Sequence, residues 1–367
     1  MFGPHGINKT WCECIQDRMR VDRTSRSNMK LFMLAMAVIC LFALEVRSIR
    51  VIVYLANVAS ETSRSELMQS LRAIRVVFES YGRTYPLWIT YDSKLERHVT
   101  AGLRGDIVQE TANCSHPVEE RHEPCVRLIP VKGWRRVPWP WSMYTDVYKD
   151  DNPYYASIGY RNMCRYWAFN IFGMPFMHNV TAYMKLDTDT IVKSMPVDPF
   201  RLLEDEQLDY IGPIMYQDGP RVVEGIWETF LRFAVEEGIH PRGLVPLSNG
   251  NKDGYSAEDI SGMSIEQATG VLLRRGYNLM IFYCNWEVSN VNIWRSPVFG
   301  RLARFIDATG GIILRRWGDC PIRTLSLYLL QEALGWKFRQ YRGLVLYHKA
   351  WHSTAGTELQ ESVRTRK

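Results

Sequence analysis

No Arg/Lys-rich stripe interleaved with aromatics runs through the middle of this 367-residue chain, and that argues against nucleic acid as a partner. No internal repeat appears, which excludes solenoids and propellers. Cysteine is sparse, with eight residues. The spacing of Cys114, His116, His122 and Cys125 fits no common zinc finger. Long apolar runs are missing too. The most apolar stretch, residues 31–46, is short beside the ~17–25 residues a membrane span usually takes. Charge is moderate: 23% charged against 46% apolar residues indicates a globular chain and not a disordered one. The net charge of +6 sits largely in the tails. Large aromatics are plentiful, with twelve Trp and nineteen Tyr. They build cores or stack on sugar rings, and core is the commoner use. The length allows one large domain or two ordinary ones.

Lys30 and Arg47 flank the 31–46 run and can snorkel at its ends. Ahead of it Lys9, Arg18, Arg20, Arg23, Arg26 and Lys30 outnumber Glu13, Asp17 and Asp22, a bias that places the amino terminus in the cytosol. The expected organisation is a cytosolic tail (1–30), a transmembrane signal anchor (31–46) and a lumenal domain (47–367). The rival readings are a cleaved signal peptide and a buried core helix. The long polar lead, and the lack of a clear small-x-small cleavage site, favour the anchor. Cys12 and Cys14 are cytosolic thiols or acylation sites on this reading. Asn113-Cys-Ser and Asn179-Val-Thr then become glycosylation sequons. The lumenal cysteines are Cys114, Cys125, Cys164, Cys284 and Cys320. The number is odd, so at least one is free or pairs between chains. Cys114 with Cys125 is the first disulfide candidate.

Residues 49–59 read as a buried strand. Residues 61–81 carry Leu67, Leu71, Ile74, Val77 and Phe78 at helical spacing, with Ser60 or Thr62 as cap. Residues 86–91 read as a second strand ending at Asp92. This βαβ start predicts a largely parallel sheet, with ligands beyond the carboxyl ends of its strands, where Asn57, Tyr91 and Asp92 lie. Residues 100–155 are polar, Pro- and Trp-rich and carry no clear pattern. Trp134, Trp139 and Trp141 line a cleft there or pack a long loop. Helices are expected over 156–172, 226–236, 298–308 and 321–334, and strands over 209–216 and 345–348. Residues 247–266 read as an insertion-like loop, and 353–367 as a loose end.

The chain is organised around residues 181–192, where an apolar strand ends in Asp187-Thr188-Asp189. Two carboxylates one residue apart suit a divalent cation such as Mg²⁺ or Mn²⁺ held against a diphosphate, because hard oxygen ligands match hard ions. Nucleotide-sugar glycosyltransferases of the GT-A type use this device. The plainer alternative is a solvated turn.

Further residues carry a family resemblance. Tyr160-Arg-Asn-Met-Cys-Arg165 resembles the Tyr-Arg-x-Met-Cys-Arg element of the fungal Golgi α-1,2-mannosyltransferases, glycosyltransferase family fifteen. Lys185-Leu-Asp-Thr-Asp189, Ile226-Trp-Glu-Thr229, Trp286-Glu287 with Ile293-Trp-Arg-Ser296, and Gly310-Gly311 with Arg316-Trp-Gly-Asp319 follow in that family's order. The resemblance implies a GT-A-like α/β fold: a mixed, mainly parallel sheet flanked by helices, preceded by one N-terminal transmembrane helix. It implies a single-pass type II Golgi membrane protein with a lumenal catalytic domain. It further implies Mn²⁺-dependent, retaining transfer of α-mannose from GDP-mannose to a mannose-terminated glycan or glycoprotein.

By the same resemblance Asp187, Asp189 and His348 are metal ligands, with His352 the rival of His348. Glu287 matches the carboxylate proposed as nucleophile, and Asp319 an acid near the acceptor. Tyr160 matches a substrate-contacting Tyr, and Lys185 stands in for an Arg. Lys185 or Arg165 is expected to steady the leaving diphosphate, and Asn57 to contact the nucleotide. Each has a plainer reading: His348 a satisfied strand-end histidine, Glu287 a buried structural carboxylate, Asp319 a cap for the following helix. The departures are Lys185 for Arg, Gln217-Asp218 after Tyr216, Trp286 for Phe, and a longer 247–266 region. They mark a divergent member. Another nucleotide-sugar donor, or a non-catalytic glycan-binding subunit, is the alternative.

Overall fold

The structure is a computed structural model describing residues 49–111, 126–134, 136–143, 157–250 and 253–348. The 31–46 run, the tails, Asn113, the Cys114–Cys125 candidate with its two histidines, and His352 lie outside the described residues. Among those described, no helix is long and apolar enough to cross a membrane.

The strands are β1 (Ile49–Ala56), β2 (Leu87–Asp92), β3 (Val126–Val131), β4 (Val180–Leu186), β5 (Thr190–Ser194), β6 (Tyr210–Gly212), β7 (Met215–Gln217), β8 (Met280–Phe282), β9 (Trp286–Asn290), β10 (Phe338–Gln340) and β11 (Val345–His348). The helices that matter here are α1 (Glu61–Glu79), α2 (Ala101–Thr111), α3 (Ile158–Ala168), α4 (Pro199–Asp205), α5 (Ile226–Glu236), α6 (Ala257–Ser261), α7 (Ile265–Arg275), α8 (Pro297–Thr309), α9 (Gly311–Arg315) and α10 (Asp319–Leu334).

Seven strands form one sheet in the order β10-β6-β9-β4-β1-β2-β3. All neighbours run parallel except β9, which is antiparallel to both β4 and β6. The predicted βαβ start is present, and Ser60 caps α1 by accepting from the Ser63 amide. Leu67, Leu71, Ile74, Val77 and Phe78 are buried against one face of the sheet, with Phe200 of α4. The other face carries Trp167 of α3, Phe230 of α5, Phe299 of α8 and the apolar side of α10. Burying both faces explains why β1, β2 and β4 read as near-continuous apolar runs.

The structure corrects several expectations. Part of the patternless 100–155 region is α2 followed by β3, which pairs in parallel with β2. Trp134 is buried, Trp141 packs against Gly310, and Trp139 is 79% exposed. The supposed insertion loop is partly helical: α6 and the start of α7 each carry a capping box, at Ser256/Asp259 and Ser264/Gln267. The 209–216 strand is two, because β7 leaves the main sheet to pair with β8. The disulfide among the described residues joins Cys284 to Cys320, and Cys164 is free and buried.

Candidate active site

β4 runs through the middle of the sheet and delivers Lys185 and, one residue past its end, Asp187. The chain then reverses: the Asp187 amide donates to the Asn285 carbonyl (3.0 Å), and the Thr190 amide to the Asp187 carbonyl (3.1 Å). That turn presents Asp189 and starts β5. β11 pairs antiparallel with β5 and sets His348 opposite Thr190. Strand pairing therefore brings together residues far apart in sequence. Asp187, Asp189 and His348 each offer a ligand atom, all within 4.8 Å of one another. His348 Nε2 lies 3.3 Å from Asp189 Oδ1, and its Nδ1 lies 3.0 Å from the Tyr283 hydroxyl.

Lys185 lies under this cluster, 2% exposed. Its ammonium donates to the Cys284 carbonyl (2.6 Å) and to Asp319 Oδ2 (2.9 Å), and sits 3.5 Å from Asp187 Oδ1. The three protons of an ammonium thus meet three acceptors. Burial works against its charge, but Asp187, Asp319 and Glu287 outweigh burial and hold its pKa above the ordinary lysine value. Asp187 is raised as well, but there burial wins. Loss of water around the carboxylate, with Asp189 and Asp319 adding negative charge, outweighs Lys185 and His348 and raises its carboxyl to about 6.

Asp319 opens α10. Gly318 holds the cap position and the helix has no side-chain cap, so the carboxylate is spent on Lys185 and not on capping. Tyr160, from α3, lies near Asp319; burial above all, with the Asp319 carboxylate, holds its phenol well above the ordinary value. Arg316 stacks over its ring at 5.4 Å.

Two of the expected site residues are held by other partners. Arg165 forms a two-pronged ion pair with Asp307 of α8, its Nε 2.7 Å from Oδ1, so its fork is committed away from the acid cluster. Glu287 is 0% exposed. It accepts from Tyr183 (2.5 Å), from Tyr210 (3.1 Å) and, as an ion pair, from Arg323 (2.5 Å). Both oxygens are engaged, and the buried structural carboxylate is the reading this placement fits. Arg323 is buried in turn between the rings of Phe172 and Trp294. Asn57 is exposed at the carboxyl end of β1, on the edge of the sheet where β4 ends. Lys185, Asp187 and Asp319 are joined by direct contacts, as are Asp189 and His348.

Sequence reasoning gave no role to Tyr283, Asn285, Arg323 or the Cys284–Cys320 disulfide. Asn285 stands in the Asn285-Trp286-Glu287 element of the resemblance, and Arg323 left a signal four residues after Asp319, on the same helix face. The disulfide ties the turn before β9, which holds Lys185 through the Cys284 carbonyl, to the first turn of the helix that carries Asp319.

Two carboxylates and an imidazole make a donor set suited to a divalent cation such as Mn²⁺, a hard ion that takes carboxylate oxygens. The comparisons agree in kind. The profile of the glycolipid 2-alpha-mannosyltransferase family matches residues 142–358. Alpha-1,2 mannosyltransferase KTR1 of Saccharomyces cerevisiae is 25% identical over 203 residues, 54% of this chain and 46% of that protein. O-glycoside alpha-1,2-mannosyltransferase homolog 3 of Schizosaccharomyces pombe is 26% identical over 210 residues, 56% of this chain and 50% of that protein. The chain spans about half the length of the curated relatives it matches. Core-mannan synthase A of Aspergillus fumigatus, solved in a Mn/GDP form, shares the fold at a TM-score of 0.61 and 18% identity, over 83% of this chain and 75% of that one. With the family profile covering more than half of its length, this chain belongs to the glycolipid 2-alpha-mannosyltransferase family.

Proposed function

We propose that the chain is a Mn²⁺-dependent mannosyltransferase that moves α-mannose from GDP-mannose to a mannose-terminated glycan or glycoprotein, retaining the anomeric configuration. The observation that carries this is the meeting of Asp187, Asp189 and His348 at the carboxyl edge of the sheet, where open α/β sheets bind ligands. Asp187, Asp189 and His348 would hold the cation. When bound, it neutralises the charge that gathers on a leaving diphosphate.

The protein's own residues do the rest. Lys185 fixes Asp187 and Asp319 relative to each other, so both carboxylates are oriented before substrate arrives; such preorganisation lowers a barrier without reorganisation during the reaction. Asp319 and Tyr160 face the acceptor. Glu287 acts from below the cleft: its charge helps hold Lys185 protonated, and through Arg323 it secures α10, the helix that begins at Asp319. Asn57 contacts the nucleotide. The reading extends to a type II Golgi membrane protein anchored by residues 31–46, supported by the apolar run and the basic residues before it.

The test is transfer from GDP-mannose to α-methylmannoside by the full chain with Mn²⁺, beside Asp189→Asn. Mannosylated product from the wild type, reduced ~100-fold or more in the variant, supports the reading; one metal-binding position can carry that much. Transfer from a UDP-sugar alone keeps the site and moves the donor. Nucleotide-independent glycan binding without turnover is the outcome expected of a glycan-binding subunit.

A further inference from the structure

A pocket of about 230 Å³ opens beside the acid cluster, lined among others by Ile214, Tyr283, Asn285, Gln340, Arg342 and Leu346. It lies where β6 and β10 end and β9 begins, so it shares the ligand-binding edge of the sheet with Asp187. Two of its walls belong to the cluster's own support. Tyr283 holds His348 Nδ1, and the Asn285 carbonyl holds the Asp187 amide.

Two features of the pocket call for a ligand. The Asn285 side chain is only 3% exposed, and its Oδ1 has no hydrogen-bond partner among the described residues. A buried amide oxygen left unpaired costs ~1–3 kcal/mol. Arg342 is exposed on the rim, with no acid within ion-pair distance among the described residues. The first group asks for a donor and the second for an acceptor. A bare anion would serve Arg342 and repel Asn285. A cation would do the reverse. A hydroxyl donates and accepts at once, so it can serve Arg342 and Asn285 Oδ1 alike, the Asn285 Nδ2 already donating to Thr190 Oγ1 (3.3 Å). Gln340 adds a further amide, Tyr283 offers a ring and a hydroxyl, and Ile214 and Leu346 offer apolar surface. Amides, an arginine and an aromatic beside apolar contacts match a sugar ring, which is polar at its rim and apolar on its faces. The volume lies below the ~300–1,000 Å³ of drug-sized sites, which limits the occupant to one ring or little more.

We infer that this pocket is a saccharide subsite, which takes one neutral hexose ring of the acceptor outside the transfer site. The inference rests on the mannosyl-transfer reading for its choice of sugar. It assigns Arg342, Gln340 and Asn285 to acceptor length, not to donor binding.

The experiment compares a one-ring acceptor, α-methylmannoside, with a two-ring acceptor, α-1,2-mannobiose, using the full chain with Mn²⁺. The variants are Arg342→Ala and Gln340→Ala, both at exposed positions. The wild type is expected to favour the two-ring acceptor in kcat/KM. That preference falls about tenfold in Arg342→Ala, the loss of one charge-assisted hydrogen bond. Saturation-transfer NMR of mannobiose on the same proteins supplies a readout independent of turnover. If the wild type contacts both rings and Arg342→Ala contacts one, the subsite stands even where no product forms, and only the transfer reading falls. Equal kcat/KM for both acceptors in the wild type overturns the subsite. So does an undiminished two-ring preference in both variants.

Discussion

Tyr283 and Glu287 do their work one layer behind the cleft, and each makes a separable prediction. The Tyr283 hydroxyl sits 3.0 Å from His348 Nδ1, and it fixes the ring so that Nε2 faces Asp189. Outer partners of this kind typically contribute 10–100-fold to metal affinity. Tyr283→Phe should therefore raise the Mn²⁺ dissociation constant about tenfold or more with little change in Tm, read by metal titration. An unaltered constant would show that β11 alone places the histidine. Glu287 differs because its removal strands a buried cation. Arg323 is 1% exposed, and breaking one half of a buried pair costs ~3–5 kcal/mol. Glu287→Gln should lower the urea midpoint of unfolding as well as activity. A nucleophile poised in the cleft would give the opposite pattern, with turnover lost and the midpoint kept.

At the scale of elements, the site depends on close approaches that tolerate no extra atom. Gly311 opens α9, and a Cβ there would meet the Trp317 ring at 2.2 Å. Trp317 is itself fixed by donating to the Glu224 carbonyl, and it precedes Gly318 and Asp319. Gly311→Ala should destabilise the fold by ~1–3 kcal/mol and displace Asp319 with it, seen as a lower Tm and weaker transfer together. Full stability in that variant would mean that α9 can shift freely of α10. The Cys284–Cys320 disulfide makes the second link, between the turn holding Lys185 and the start of α10. Opening it with a dithiol reductant should cost about 2–4 kcal/mol, measured by denaturant unfolding with and without reductant. Reductant should cost Cys284→Ala/Cys320→Ala, already lacking this bridge, less than it costs the wild type.

Across the whole molecule, the sequence made legible whatever depended on local period. β1, α1, β2 and β4 show their apolar spacing openly, and the Asp187–Asp189 pair marks the end of a buried strand. β3 was hidden because it is an edge strand with Pro130 inside it, a residue that central strands exclude. α2 carries Gly102 and Gly105, which weaken a helical pattern. The capping boxes at Ser256 and Ser264 were readable and still looked like loop, because Gly, Ser and Asp surround them. Pairings across long stretches were not local at all. Glu287 with Arg323, and Cys284 with Cys320, exist only once the sheet and α10 pack. His348 reaches the acids through strand register, which no spacing reports.

The central claim is that Asp187, Asp189 and His348 hold one divalent cation that a nucleoside diphosphate shares. The most direct test is titration of the full chain with Mn²⁺, followed by electron paramagnetic resonance, with and without GDP, in the wild type and Asp189→Asn. The account predicts one bound Mn²⁺, tighter with GDP than without it, and binding weakened at least tenfold in the variant. Equal Mn²⁺ uptake by wild type and variant, indifferent to GDP, would contradict it.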